Sequence, residues 1–388
     1  MFPRSGIKFA SAWLAGTVLV GLWSTAARAD KFVYDTPDGR HTVEGRLAAR
    51  TDVEALFVGR DGRMHLVNAN RVVDLEETAE KPKPFTKEEM ISELRREFGA
   101  GFRVFSSLRY VVCYNCDENF AVSCRQLFER LHRAFVNYFE KAGFQIEPNE
   151  YPLVAVVFGN ENDFLAYASR ELGDEMARNV IGYYSFLTNR MVLYDMQADA
   201  ARKGLAQVKG KAAGGPRGIG AFAEVNIATV IHEATHQLAY NSGFHQRFSD
   251  NPLWFAEGMG MFFEATDRQG ANWNRVGDVN RTRIDLFRER HFTKGERVDI
   301  RSLVRTDDLL RDNKTALAAY ADSWALTYFL IKTHREHFFN YLKILAKKPA
   351  LTQDSAEQRE ADFKDAFGDD IDQLEEEFVR YMRTLPVR

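Results

Sequence analysis

Ile231-His232-Glu233-Ala234-Thr235-His236-Gln237 carries the pattern H-E-x-x-H inside a helical stretch. Two histidines four residues apart share one face of an α-helix, so both imidazoles can reach a single metal ion. Glu233 points about 100° further round, beside such an ion but not on it, where a carboxylate can take a proton from water. Ile227, Val230, Ile231, Ala234 and Leu238 recur at helical spacing, which predicts a buried amphipathic helix of about 20 residues from Ala221 to Tyr240. Asn241-Ser242-Gly243 supplies the turn and cap residues that end it. Residue types and spacing together fit zinc-assisted hydrolysis.

A zinc site built on two histidines needs a third protein ligand. Twenty-one residues past His236 stands Glu257, in Asn251-Pro252-Leu253-Trp254-Phe255-Ala256-Glu257-Gly258-Met259-Gly260-Met261. Asn251-Pro252 reads as a helix start. Glu257 then falls two turns in, among Trp254, Phe255, Met259, Phe262 and Phe263, where an unbound acid is costly and a metal would satisfy it. Glu264 lies seven residues on, on roughly the same face, placed either to support a histidine from behind or to serve as the ligand itself.

H-E-x-x-H followed by a W-F-x-E-G helix resembles the gluzincins, the thermolysin-type metallopeptidases that hold zinc with two histidines and a glutamate. The chain is most similar to the peptidase-MA-like proteins of bacterial envelopes. The likeness runs from about Phe102 to the C-terminus and includes Gly182-Tyr183-Tyr184, Arg190-Met191-Val192-Leu193-Tyr194-Asp195 and Tyr320-Ala321-Asp322-Ser323-Trp324-Ala325-Leu326. It implies one Zn(2+) per chain on His232, His236 and Glu257, with Glu233 as general base. It also implies a cleft-edge strand at Met191, Val192, Leu193 and Tyr194 that pairs with a peptide substrate, and Tyr320 as a donor to the developing oxyanion; a plain core strand and a core tyrosine are the other readings of these residues. Thermolysin-like enzymes often carry an aspartate four residues after the ligand glutamate; Met261 stands there in this chain. His245, between the two ligand helices, reads as a solvated loop histidine.

Residues 1–29 read as a signal peptide: a basic start at Arg4 and Lys8, an apolar run from Phe9 to Trp23, and Ala27-Arg28-Ala29 as the cleavage site. The expectation is an exported protein, periplasmic or secreted, with no stable membrane insertion after cleavage. Cleavage would take the formal net charge from −3 to −6. That acidity, with no basic stripe to offset it, argues against nucleic acid as a partner. Cys113, Cys116 and Cys124 offer only one C-x-x-C spacing, too few for a zinc ribbon. A disulfide between two of them, Cys116 with Cys124 as the pair considered first, suits an exported protein, although Cys113 is equally available.

Short strands and turns fill residues 30–77, with Pro37-Asp38-Gly39 and Asp61-Gly62 as hairpin signals, and suggest a small SH3-like β-barrel. Modules of this kind usually bind or scaffold, so an envelope partner is expected for it. Residues 78–89, with Lys81-Pro82-Lys83-Pro84, read as a linker. Residues 90–388 alternate helices with apolar strands and then become mostly helical. The overall expectation is α+β: a zincin-like domain, with a mixed-sheet lobe and a helical lobe, behind the β-module. Residues 203–220 read as a glycine-rich surface loop. The function expected is zinc-dependent hydrolysis of a peptide or protein substrate. The rival is an envelope scaffolding protein whose zinc site is structural or inactive.

Overall fold

Strand Glu54–Gly59 is buried at five of its six positions, so it has no solvent face and must be covered on both sides. It is β3 of a five-stranded antiparallel sheet with β1 (Lys31–Thr36), β2 (Gly39–Arg50), β4 (Met64–Asn68) and β5 (Val72–Glu76), in the order β4-β3-β2-β1-β5. One face packs Phe57 and Ala55 on Phe32, Tyr34 and Val67. The other presents Leu56, Val58 and Met64 to Tyr151 and Ala350 of the main body. The computed structural model describes residues 31–76, 82–196, 198, 221–265 and 276–386. The expected signal peptide and the glycine-rich stretch at 203–220 lie outside these residues.

The expected closed barrel is not found. Among the described residues β4 and β5 do not pair, and the sheet stays open. The face that carries Leu56, Val58 and Met64 is covered by the main body. The Gly59–Met64 hairpin carries the joint. Met64 N donates to Leu187 O at 2.6 Å, and Arg247 Nη1 donates to Gly62 O at 2.9 Å. Gly62 has φ +79°, and a Cβ there would sit 2.9 Å from the Tyr151 ring, so both backbone and space demand glycine.

Helix α1 (Lys87–Phe98) begins inside the segment expected as linker. Thr86 and Glu89 form a reciprocal capping box that fixes its start. The main sheet follows, with β6 (Arg103–Ser106), β7 (Tyr110–Tyr114), β8 (Leu153–Phe158), β9 (Gly182–Ser185) and β10 (Arg190–Tyr194) in the order β6-β7-β8-β10-β9. β7, β8 and β10 run parallel, and β6 and β9 are antiparallel to their neighbours. Alternate residues of β7 divide between two cores. Val111 and Cys113 face α1 and α3 (Glu161–Leu172), while Tyr110, Val112 and Tyr114 face α2 (Glu118–Lys141) and the H-E-x-x-H helix. Cys113 therefore lies across the sheet from Cys116 and Cys124. All three cysteines are free and buried, so the expected Cys116–Cys124 disulfide is not formed.

The helical part comprises a short α4 (Asp174–Ala177), α5 (Ala221–Asn241), α6 (Leu253–Glu264), α7 (Arg281–Arg288) with a π-turn at Glu289–Thr293, α8 (Ile300–Arg305), α9 (Asp308–Arg311), α10 (Ala316–Thr333), α11 (Arg335–Ala346), α12 (Ala356–Phe367) and α13 (Ile371–Thr384). The molecule is thus a mixed α+β structure with two sheets and many helices. Among the described residues no helix is long and apolar enough to cross a membrane.

Candidate metal centre

Helix α5 is fixed against the sheet by the residue that follows its second histidine. Gln237 Nε2 donates to Val154 O at 3.0 Å and to Asn189 O at 3.1 Å, and Asn241 bonds the Asn189 side chain. These contacts set the rotation of the helix, and with it the direction of His232 and His236. Helix α6 crosses close by, and two glycines permit the approach. A Cβ on Gly258 would come within 2.0 Å of Thr327 Oγ1 on α10, and one on Gly260 within 2.7 Å of the His232 ring. The start of α6 is held from outside. Leu253 N donates to Asp307, which is clamped by Arg359, itself paired with Asp250.

This framework brings His232, His236 and Glu257 together. One ligand atom from each lies within 4.8 Å of the others, and the group is buried. His232 Nε2 is 3.0 Å from both Glu257 Oε2 and His236 Nε2. Two imidazole nitrogens and a carboxylate oxygen converging on one point make the donor set of a divalent cation such as zinc. Glu264 stands outside that group. Its Oε1 is 2.7 Å from His232 Nδ1, and its Oε2 accepts from Asn280 Nδ2 at 3.1 Å. A carboxylate on Nδ1 fixes the tautomer in which Nε2 presents its lone pair, the usual support of a metal-bound histidine. Of the two roles open to Glu264, the geometry is that of support.

The electrostatics follow from burial and close charges. Burial opposes charge on His232, yet Glu257 and Glu264 raise its imidazole well above the ordinary range. Burial and the His232 charge push His236 down to about 4. Burial works against the Glu264 carboxylate, but the His232 hydrogen bond and charge hold it below its usual value. Glu233 is pushed up to about 7, chiefly by burial, with His232 opposing and Glu257 adding to the rise. Its Oε2 accepts from Tyr184 N at 3.1 Å, which places the carboxylate against β9.

The structure decides two further expectations. Met191, Val192, Leu193 and Tyr194 form β10, which pairs with β8 on one side and β9 on the other. Its ladder positions are taken, so it cannot be the cleft-edge strand; β9 is the outer strand, next to Glu233. His245 is not solvated. It is buried between Tyr240 and Phe255, neither ring nitrogen has a hydrogen-bond partner, and burial pushes its pKa down to about 3. Tyr320 lies under the Arg283 guanidinium, 5.7 Å from its ring centre, and Arg283 in turn helps to hold Glu264 ionised.

Tyr240 is the aromatic residue that sequence reasoning missed. It follows His236 by one turn of α5, stacks on Tyr184 with ring centres 5.7 Å apart, and meets His245 at 5.2 Å. Burial raises its phenol pKa, and the Tyr184 phenol and the Glu257 charge add to the rise. The i, i+4, i+8 series His232, His236, Tyr240 was the available signal.

Among known proteins, a family model described as "Protein of unknown function (DUF1570)" matches residues 226–352. That span, about a third of the chain, contains both histidines, Glu233, Glu257, Glu264 and Tyr320. No curated protein matches the chain.

Proposed function

We propose that the protein is an exported zinc-dependent hydrolase of gluzincin type, acting on a peptide or protein substrate with Glu233 as general base. The observation that carries this reading is the convergence of His232, His236 and Glu257 in a buried group, with Glu264 fixing His232 and a separate carboxylate left over. A structural site needs only ligands and their supports. Glu233 belongs to neither set, and its carboxylate, placed by the Tyr184 N–H, is of the kind that accepts and returns a proton.

When bound, zinc would supply Lewis acidity, polarising a carbonyl and lowering the pKa of water. The rest falls to the chain. Glu233 accepts the proton of the attacking water and delivers it to the departing nitrogen. The Tyr184 N–H orients that carboxylate. β9, rather than β10, is the main chain next to which an extended substrate would lie, and Tyr240 is the phenol nearest in sequence and helical face to the ligands. The reading further holds that residues 90–388 form a zincin-like domain with the β-module seated on it.

Metal analysis tests the ligand set. The purified protein should hold one zinc per chain, and His236→Ala and Glu257→Gln should lose it. Full occupancy in Glu257→Gln would remove this ligand set.

A further inference from the structure

The hairpin between β6 and β7 ends in Ser107-Leu108-Arg109, and Leu108 is 71% exposed, the most exposed large apolar residue among those described. The tip is rigid. Glu129 of α2 accepts from Ser107 Oγ at 2.7 Å and from Arg109 N at 2.8 Å, and Lys87 Nζ donates to Ser107 O at 2.8 Å and to Leu108 O. Beside the tip, Ser107, Leu108, Arg125, Glu129, Arg130 and Arg133 line an open cleft of about 350 Å³. Glu129 is engaged by Arg109. Arg125, whose guanidinium lies over the Phe105 ring, and Arg130 and Arg133 make no ion pair among the described residues, and Arg130 Nε is buried without a hydrogen-bond partner. Three arginines thus flank one carboxylate in the cleft of a protein whose net charge is −3, while Glu140, Glu147 and Glu150 line the neighbouring cleft with Lys87, Leu108 and Arg109.

We infer that this face docks on an anionic phospholipid surface, with headgroup phosphates in the arginine cleft and Leu108 inserted among the acyl chains. Unpaired guanidiniums match phosphate in charge and geometry. The exposed leucine selects the source, because a free phosphate offers an apolar tip nothing, whereas a bilayer buries it. The rigid hairpin presents both features without an ordering cost. Each cation near an anionic bilayer strengthens binding by about fivefold, so the three unpaired arginines together contribute about a hundredfold.

The test uses the full chain as Leu108→Cys, labelled with an environment-sensitive dye; the three native cysteines are buried. The dye reads insertion at the tip itself, whatever residues 1–29 do. Vesicles of phosphatidylcholine containing about a third phosphatidylglycerol should shift its emission to the blue, and pure phosphatidylcholine should not. Changing Arg125, Arg130 and Arg133 together to Gln should raise the half-saturating lipid concentration about a hundredfold. Added salt should do the same in graded fashion. An unshifted dye, equal shifts with both vesicles, or an unchanged midpoint in the triple variant overturns the inference. So does a site that takes inorganic phosphate, read by protection of Arg130 from a guanidinium reagent, while the dye ignores vesicles.

Discussion

Replacing Glu264 separates a supporting carboxylate from a ligand. Its Oε1 lies 2.7 Å from His232 Nδ1, a charge-assisted hydrogen bond inside a buried site, and Asn280 holds its other oxygen. Such bonds contribute about 1.5–3 kcal/mol net, against about 0.5–1.5 for neutral pairs. Glu264→Gln keeps an acceptor of the same length and forfeits about 1 kcal/mol, which weakens zinc binding about fivefold. Glu264→Ala forfeits the whole bond and leaves His232 free to rotate, for a loss of about 10–100-fold. Competition with a chromophoric chelator at fixed pH measures both. Stoichiometry should remain one zinc per chain in each variant. If both variants bind within twofold of wild type, Glu264 does not support His232. If Glu264→Ala loses zinc as completely as His236→Ala, Glu264 is a ligand and Glu257 has been misassigned.

Other expectations follow from the packing and from burial. Gly258→Ala would drive a Cβ to 2.0 Å from Thr327 Oγ1 and 2.8 Å from Ser323 O. It should destabilise by about 1–3 kcal/mol, and Thr327→Ala should restore part of the loss in thermal melts. Gly62→Ala combines φ +79° with the Tyr151 ring and should also lower the melting temperature, since the hairpin seats the module on the body. His65 and His132 are held down to about 4, chiefly by burial, from an ordinary 6.5. As pH falls the unfolded chain takes up these protons first, so stability should decline between about pH 6.5 and 4. Each imidazole contributes up to about 3 kcal/mol. His132→Gln should flatten that decline in pH-dependent melts.

How much of this was readable beforehand depends on the range of the interactions. Local periodicity placed His232 and His236 on one helix face and Glu257 among aromatics, because i, i+4 geometry is fixed by the backbone alone. Capping chemistry is equally local, and Thr86-x-x-Glu89 could have marked the start of α1. The position of a strand within its sheet is a long-range property. The unbroken apolar run of β10 did, however, point to an interior strand rather than an edge. The pairing of Glu264 with His232 depends on how α5 and α6 cross. Gly258 and Gly260 permit that crossing, and only the assembled helices reveal it. What covers the second face of the β-module likewise could not be read from its own residues, because Tyr151 and Ala350 lie far along the chain.

Cleavage of an unfolded-protein or peptide-library substrate by zinc-loaded wild type and Glu233→Gln tests the central claim most directly. Gln keeps the side chain's size and its place against the Tyr184 N–H, but it cannot shuttle a proton. Loss of a general base lowers rate by about 10²–10⁴-fold. Glu233→Gln should keep its zinc and its melting temperature while cleavage falls by that factor. Equal cleavage by the two proteins, or none by zinc-loaded wild type across broad libraries, would contradict the hydrolase and leave a zinc-bearing scaffold.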